Sequence, residues 1–361
     1  MWNSRAFRIV TESRALCSKA ARWAARVRSA SVRGMRIATF LPHTGVFGGV
    51  RRFIELGNAW QTAGHEVTLY HPSGEPPAWL PYAGRTAPLA AAAQESSDLA
   101  WCADPHTWRA FRAHASGRHI YYCVLERDPT LKLALADPRV QLAANSTPLM
   151  RSLERSSGRA VMDGVGGINP AQFHPGSMPR VAAPLRVLVN GRRSRPKKGT
   201  DLILRALAGL GDVPPFEIVL FDSPGKGERD PRDLAHLPAN ARYVLDPSQQ
   251  QLVELYQGAH IFIAAERKAG WCNTALEAMA CGCAVACTAS GTTDFARDGE
   301  TALVVPFRHP WFLRRAARRL LMDAALRERL AAAGTAATQR WSWDALSRKL
   351  LRLASLTTAG A

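Results

Sequence analysis

Five cations stand within seven residues of Asn190-Gly191-Arg192-Arg193-Ser194-Arg195-Pro196-Lys197-Lys198-Gly199, between a strand-like apolar run and a helix-like one. Arginine offers a planar fork and lysine a point charge, a combination suited to neutralising a diphosphate as it leaves. Most basic runs are solvated loops; the place directly after a strand is what favours a ligand here. No G-x-x-x-x-G-K-[ST] occurs in the stretch, so it is not a P-loop. A second stretch, Trp271-Cys272-Asn273-Thr274-Ala275-Leu276-Glu277-Ala278-Met279-Ala280-Cys281-Gly282, sets one carboxylate, Glu277, in an otherwise apolar helix. A buried charge needs a partner. Ligand hydroxyls, such as those of a ribose, would serve, and so would a nearby arginine. Asn273 and Thr274 open the same helix, where free backbone N–H groups face an anion. In a third stretch, Phe47-Gly48-Gly49-Val50, two glycines let the backbone approach a ligand at another helix start. Its spacing is not G-x-G-x-x-G, and an ordinary tight turn would read the same way. Cys272, Cys281, Cys283 and Cys287 have no flanking histidine to complete a zinc pattern. They read as small buried apolar residues, and no metal is expected.

The elements that must hold these stretches alternate along the chain. Strand-like runs fall at 37–41, 66–70, 99–102, 120–125 and 140–144, with a helix at 50–63. A second series places strands at 185–189, 216–221, 259–264, 284–287 and 302–305, with helices at 200–210, 248–257, 273–281 and 311–322. Such alternation predicts parallel sheets with helices on both faces. Between the series, residues 174–184 are rich in proline and small residues and mark a boundary. The expected organisation is a basic extension at 1–34, a first domain at 35–180 and a second at 181–342. A closing segment at 343–361 would carry a helix that packs back on the first domain. Two doubly wound domains facing each other place a cleft at the carboxyl ends of both sheets, where ligands bind.

Composition narrows the partners. The chain of 361 residues is 47% hydrophobic and 21% charged, which excludes a disordered chain and a multi-span membrane protein. Its formal net charge of +18 favours polyanions, whether nucleotide phosphates or anionic lipid headgroups. Nucleic acid is not expected, because no RNP, zinc-finger or basic-zipper pattern accompanies the charge. Seven cysteines, an odd number, do not make a disulfide framework, and a reducing cytoplasm is the simpler setting. Residues 1–34 carry eight Arg or Lys against the single acid Glu12. That segment reads as a spurious or disordered extension before a start at Met35, as an amphipathic membrane-surface helix, or as an organelle transit peptide. The segment 309–321, with four arginines beside aromatic residues, reads as a helix resting on anionic lipid or as an ordinary surface helix.

Taken together, these stretches resemble the retaining family 4 glycosyltransferases of the GT-B fold, from about Met35 to about Leu356. Gly48-Gly49 matches the family's glycine turn, and Gly64-His65-Glu66-Val67 matches its "GHEV" segment. Gly167-Ile168-Asn169 through Phe173-His174-Pro175 resembles its "NGVD…F.P" segment, with Asn169 in place of Asp. Leu276-Glu277-Ala278-Met279-Ala280-Cys281-Gly282 matches the most specific motif, and Ser290-Gly291-Thr292-Thr293-Asp294 resembles the loop after it. The resemblance implies an α/β chain of two Rossmann-like domains, the first facing the acceptor and the second binding the donor. It implies transfer of a hexose from a nucleotide diphosphate donor to a hydroxyl of a glycan or lipid-linked glycan, with retention and without metal or cofactor. It also implies a cytoplasmic protein, peripheral on the inner membrane face.

By the same resemblance, Arg193 and Lys198 contact the donor diphosphate and carry catalysis. Arg192 competes with Arg193, because the loop is one residue longer than usual. Glu277 holds the ribose hydroxyls, while Gly48, Gly49, Asn273 and Thr274 line the donor site. Glu126, at the end of the 120–125 strand, is the acceptor-side candidate; His119 begins that strand, so it lies at the wrong end for the family's active-site histidine. One departure stands out. The family's second glutamate, eight residues before Glu277, is Ala269 here, and Glu266 would replace it only through a rebuilt loop. The alternative reading is therefore a non-catalytic nucleotide- or glycan-binding protein on the same scaffold.

Overall fold

A computed structural model describes residues 34–125, 131–177, 180, 182–223 and 230–356. The first series of elements runs β1 (Arg36–Phe40), α1 (Gly48–Thr62), β2 (Glu66–His71), β3 (Arg85–Pro88), β4 (Ser96–Cys102), α2 (Trp108–Ala113) and β5 (Ala115–Cys123). It continues through α3 (Leu131–Ala136), β6 (Val140–Ala144), α4 (Thr147–Ser157) and β7 (Val161–Asp163). The second series runs β8 (Leu185–Asn190), α5 (Thr200–Ala208), β9 (Phe216–Asp222), β10 (Ala241–Leu245), α6 (Gln249–Gly258), β11 (Ile261–Ala264) and α7 (Asn273–Ala280). After it come β12 (Ala284–Thr288), β13 (Leu303–Val305), α8 (Pro310–Met322), α9 (Ala324–Thr338) and α10 (Trp343–Leu356).

These strands make two sheets, ordered β3-β2-β1-β4-β5-β6-β7 and β10-β9-β8-β11-β12-β13. Every pairing is parallel. Central strands are apolar throughout because both sheet faces are covered: all of β11 and β12 is buried. In each sheet the chain steps one way from its first strand and then returns to add strands on the other side. The reversals fall between β1 and β4 and between β8 and β11. Crevices at such reversals are where ligands bind in doubly wound sheets. Gly48-Gly49 follows β1, and the basic loop follows β8.

The strand at 120–125 begins earlier than its apolar pattern suggests, at Ala115, with exposed and half-buried residues. Three further strands have little apolar signal. β3 buries only Ala87 and ends in Pro88, β7 has three residues, and β10 is at most half-buried. The first two lie at the margins of their sheet and β10 at the margin of the other, where one flank needs no apolar partner.

The last helix returns to the first series. Trp60 of α1, fully buried, donates from Nε1 to the Ser347 carbonyl at 3.4 Å. Lys349 Nζ meets Asp163 Oδ1 and the Val165 carbonyl, both at 2.9 Å. The two chain crossings between the series are themselves bonded. Gly167 and Ile168 donate to the Trp341 carbonyl at 2.8 and 2.9 Å, and Trp343 donates to that of Ile168 at 3.0 Å.

Candidate functional site

The basic loop is held in shape by its own backbone and by the loop after β11. Lys198 N–H closes on the Arg195 carbonyl at 2.8 Å, and Arg267 N–H donates to the Lys197 carbonyl at 2.9 Å. Gly199 sits at φ +77°, and a Cβ there would lie 2.7 Å from Ala265 Cβ. A glycine is required on both counts. Lys198 Nζ then reaches Glu266 Oε1 at 2.6 Å. Burial works against the ammonium charge, but the Glu266 carboxylate outweighs it and holds the lysine above its ordinary value, with Arg192 near enough to oppose.

Neighbouring arginines in this loop part company. Arg192 Nε meets Asp222 Oδ1 at 2.9 Å, and its Nη2 donates to the Ser223 carbonyl at 2.6 Å, at the end of β9. Arg193 turns to the first turn of α5, where its Nε meets Asp201 Oδ1 at 2.6 Å, and also donates to the Ala235 carbonyl. Of the two, it is Arg192 whose charge bears on Lys198.

Glu277 lies one turn inside α7, buried, and accepts from the Tyr256 hydroxyl at 3.0 Å. Among the described residues no arginine pairs with it directly. Burial pushes its carboxyl up, against the Arg51 charge, the Tyr256 hydroxyl and Lys198. α7 and α1 begin without a side-chain cap or an acid in the first turn, so their leading N–H groups remain available to an anion. The two helix starts also meet: a Cβ on Gly48 would lie 2.8 Å from Asn273 Nδ2. Thr274 follows Asn273 in the same turn, and Gly49 follows Gly48.

Contact between the two series continues along this line. A Cβ on Gly270 would press into the Val124 carbonyl and lie 2.6 Å from Asn145 Oδ1. Thr147 N–H donates to Asp294 Oδ2 at 3.0 Å. Glu126 lies outside the described residues. Ala269 N–H donates to Ser290 Oγ at 2.9 Å, and its methyl faces Gly291. The six cysteines among the described residues are all buried, and burial pushes the Cys272 thiol up to about 12. No group of three metal-ligating side chains occurs among those residues.

Sequence patterns pass over three buried charged residues on α1, Arg51, Arg52 and Glu55. Arg51 Nη2 donates to Gln249 Oε1 at 2.5 Å, and the guanidinium stands over the rings of Trp79 at 5.2 Å and Phe173 at 5.9 Å. Its Nη1 is 3.8 Å from Glu55 Oε1, beyond hydrogen-bond range, and neither atom has a hydrogen-bond partner among the described residues. The available signal is the i,i+4 pair of opposite charges in a helix with a buried face. Burial pushes Glu55 up to about 7, Arg51 opposing and Glu277 adding to it. An acid whose folded value is raised favours the fold while neutral, so stability is lost as pH rises from its ordinary value through about 7. The upper bound is about 3 kcal/mol. Glu55→Gln is therefore expected to melt near the parent at pH 5 and a few degrees above it at pH 8 in paired thermal scans. An equal offset at both values would contradict this.

Residues 182–337 match the family model described as glycosyl transferases group 1. Over 197 residues the chain is 31% identical to the D-inositol 3-phosphate glycosyltransferase of Acidothermus cellulolyticus, covering 49% of this chain and 44% of that protein. Over 238 residues it is 28% identical to the same enzyme of Stackebrandtia nassauensis, covering 61% and 54%. The chain thus spans about half the length of the curated relatives it matches. Sucrose-phosphate synthase from Thermosynechococcus elongatus superposes with a TM-score of 0.71 at 19% identity, over 90% of this chain and 100% of that one. Anabaena HepE, solved in complex with UDP-glucose, superposes at 0.70 and 15% identity, over 89% and 100%. The architecture is the two-domain GT-B fold.

Proposed function

Starting from a chain whose residues 182–337 form a glycosyl transferases group 1 domain within a GT-B fold, we propose that its cleft moves a hexose from a nucleoside diphosphate donor to a hydroxyl group. The observation that carries this is the convergence of Lys198, Arg192 and two uncapped helix starts, with Glu277 one turn away. The hardest task in such a transfer is stabilising the departing diphosphate, and preorganised cations and N–H dipoles in a water-poor cleft do that. Lys198 and Arg192 face the diphosphate in this reading, with Gly48, Gly49, Asn273 and Thr274 supplying backbone donors. Arg193, favoured by spacing, serves through Asp201 instead. Glu277, fixed by Tyr256, accepts from the ribose hydroxyls. Retention by attack on the same face needs no separate base. The sugar nucleotide is a substrate, and the reading calls for no further cofactor.

UDP-sugars are the first donors to offer, since the similar HepE structure holds UDP-glucose. Incubation with UDP-, GDP-, ADP- and dTDP-sugars, with and without glycan acceptors, is expected to release nucleoside diphosphate from one of them. Binding without release from any donor would favour the non-catalytic reading that Ala269 motivates.

The acceptor in this proposal is a glycan or lipid-linked glycan at the cytoplasmic face of a membrane. No helix among the described residues is long and apolar enough to cross one. α8 instead offers a surface: it has four arginines and no acid, with Trp311 49% and neighbouring Phe307 66% exposed. Arg315 stacks over the Trp311 ring at 4.8 Å. Such a face suits anionic headgroups. The protein is expected to float with vesicles containing phosphatidylglycerol and to lose this on Trp311→Ser with Arg315→Ser. Flotation equal on neutral vesicles would exclude the charge-based contact.

A further inference from the structure

Ala269 leaves the donor crevice without the carboxylate that the family resemblance implies, and three residues upstream Glu266 sets a carboxylate against Lys198 instead. β8 and β11 are neighbours at the reversal of the second sheet, pairing Val187 with Ile261. Lys198 comes from the loop after the first and Glu266 from the loop after the second. We infer that Glu266 is a positioning residue for sugar transfer, holding the Lys198 ammonium at the reversal crevice and balancing its charge until a diphosphate arrives. The inference rests on the reading of Lys198 as a diphosphate-binding group.

The support is geometric. Glu266 is buried, and its backbone is fixed by Thr288 Oγ1 donating to its carbonyl at 2.8 Å. On either side, Arg267 N–H binds the Lys197 carbonyl at 2.9 Å, and Arg308 bridges the carbonyls of Ala265 and Pro196, both at 2.6 Å. The two loops therefore move as one piece. A lysine ammonium has three protons. One points at Glu266 Oε1 across 2.6 Å, which leaves two for oxygens of a ligand. The other titratable or charged groups around the pair are Arg192 on the same loop, Arg267 next to Glu266, Cys272 ahead of α7, Glu277 on α7 and Arg308 after β13. None of them supplies a second carboxylate in hydrogen-bond contact with Lys198 among the described residues.

A positioning carboxylate has a cost that a merely structural one lacks, because it repels the anion that the lysine is to receive. Its removal should leave nucleotide binding intact or tighter while turnover slows. It should also move the alkaline limit downward, since burial alone lowers the lysine. The test compares Glu266→Gln and Glu266→Asp with the parent. It measures UDP binding by calorimetry from pH 7 to 11 and UDP release from UDP-glucose at the same values. For Glu266→Gln we expect UDP affinity unchanged or higher at pH 7, turnover down about tenfold, and the alkaline limb of binding shifted to lower pH. The limb is readable even without turnover. Glu266→Asp should keep the limb in place while slowing transfer, and it decides the matter if the glutamine variant does not fold. Unchanged limb and turnover would overturn the inference, as would affinity and turnover falling together with the limb fixed. If Lys198→Met leaves both binding and turnover as in the parent, the reading of the site itself fails instead.

Discussion

Lys198→Met is expected to slow nucleoside diphosphate release by two to three orders of magnitude, roughly the effect of deleting a preorganised donor at a developing negative charge. In the proposed transfer the leaving diphosphate gains charge as the glycosidic bond breaks, and Lys198 and Arg192 are the cations assigned to it. Lys198 is held by a 2.6 Å contact and closed in by two stitched loops, so a flexible neighbour cannot take its place. Arg192→Gln should follow in the same direction, with added loss of stability because Asp222 would be left without its guanidinium. Arg193→Gln should stay within a few-fold of the parent, since its fork already engages Asp201 and the Ala235 carbonyl. Single-turnover assays on the three variants separate these roles. A loss at Arg193 as deep as that at Lys198 would return the diphosphate to Arg193.

Gly270→Ala should reduce turnover about a hundredfold while both domain cores stay folded, because small displacements of reacting groups are costly. The added methyl cannot coexist with the Val124 carbonyl, which is backbone at the end of the β5 strand region, or with Asn145 Oδ1 at 2.6 Å. Asn145 can swing aside, but the carbonyl cannot. The domains must therefore stand further apart along the line where α1 and α7 begin. Small-angle scattering with UDP present should show the variant more extended than the parent, with near-parental circular dichroism. Gly48→Ala should be milder, since it meets only the end of the Asn273 side chain. Equal turnover in Gly270→Ala and the parent would mean that this contact plays no part in catalysis.

The alternation of strands and helices was legible because central strands are apolar on both faces, as in β11 and β12. Of the edge strands, β13 was legible at 302–305, but β3, β7 and β10 were not, since they share too little of the core to carry its pattern. α9 went unseen for a related reason: much of its length is alanine, which gives a helix little apolar contrast between faces. Within the site, Glu277 was visible as a lone acid among apolar residues. The division of labour between Arg192 and Arg193 was not. They are adjacent in an irregular loop, and each is claimed by a different aspartate, Asp222 at the end of a strand and Asp201 in a helix. The pairings of Glu266 and Arg51 were hidden similarly, because their partners come from separate parts of the chain, Lys198 and Gln249. Spacing reports neighbours along a regular element; it carries no information on which distant group will meet a flexible cation.

The two bonded crossings between the domains limit how the cleft can work. A body tethered at one point swings about any axis, but here residues 167–168 and 341–343 run side by side and are sewn together by three backbone hydrogen bonds. α10 then fastens the second crossing to α1 through Ser347 and to β7 through Lys349. Any opening that keeps these bonds is confined to rotation about the line they define, like a door hung on paired pins. A closing stroke about that line would return the same faces to the same register, so in the proposed transfer the alignment of donor and acceptor is inherited from the hinge rather than found anew by each substrate.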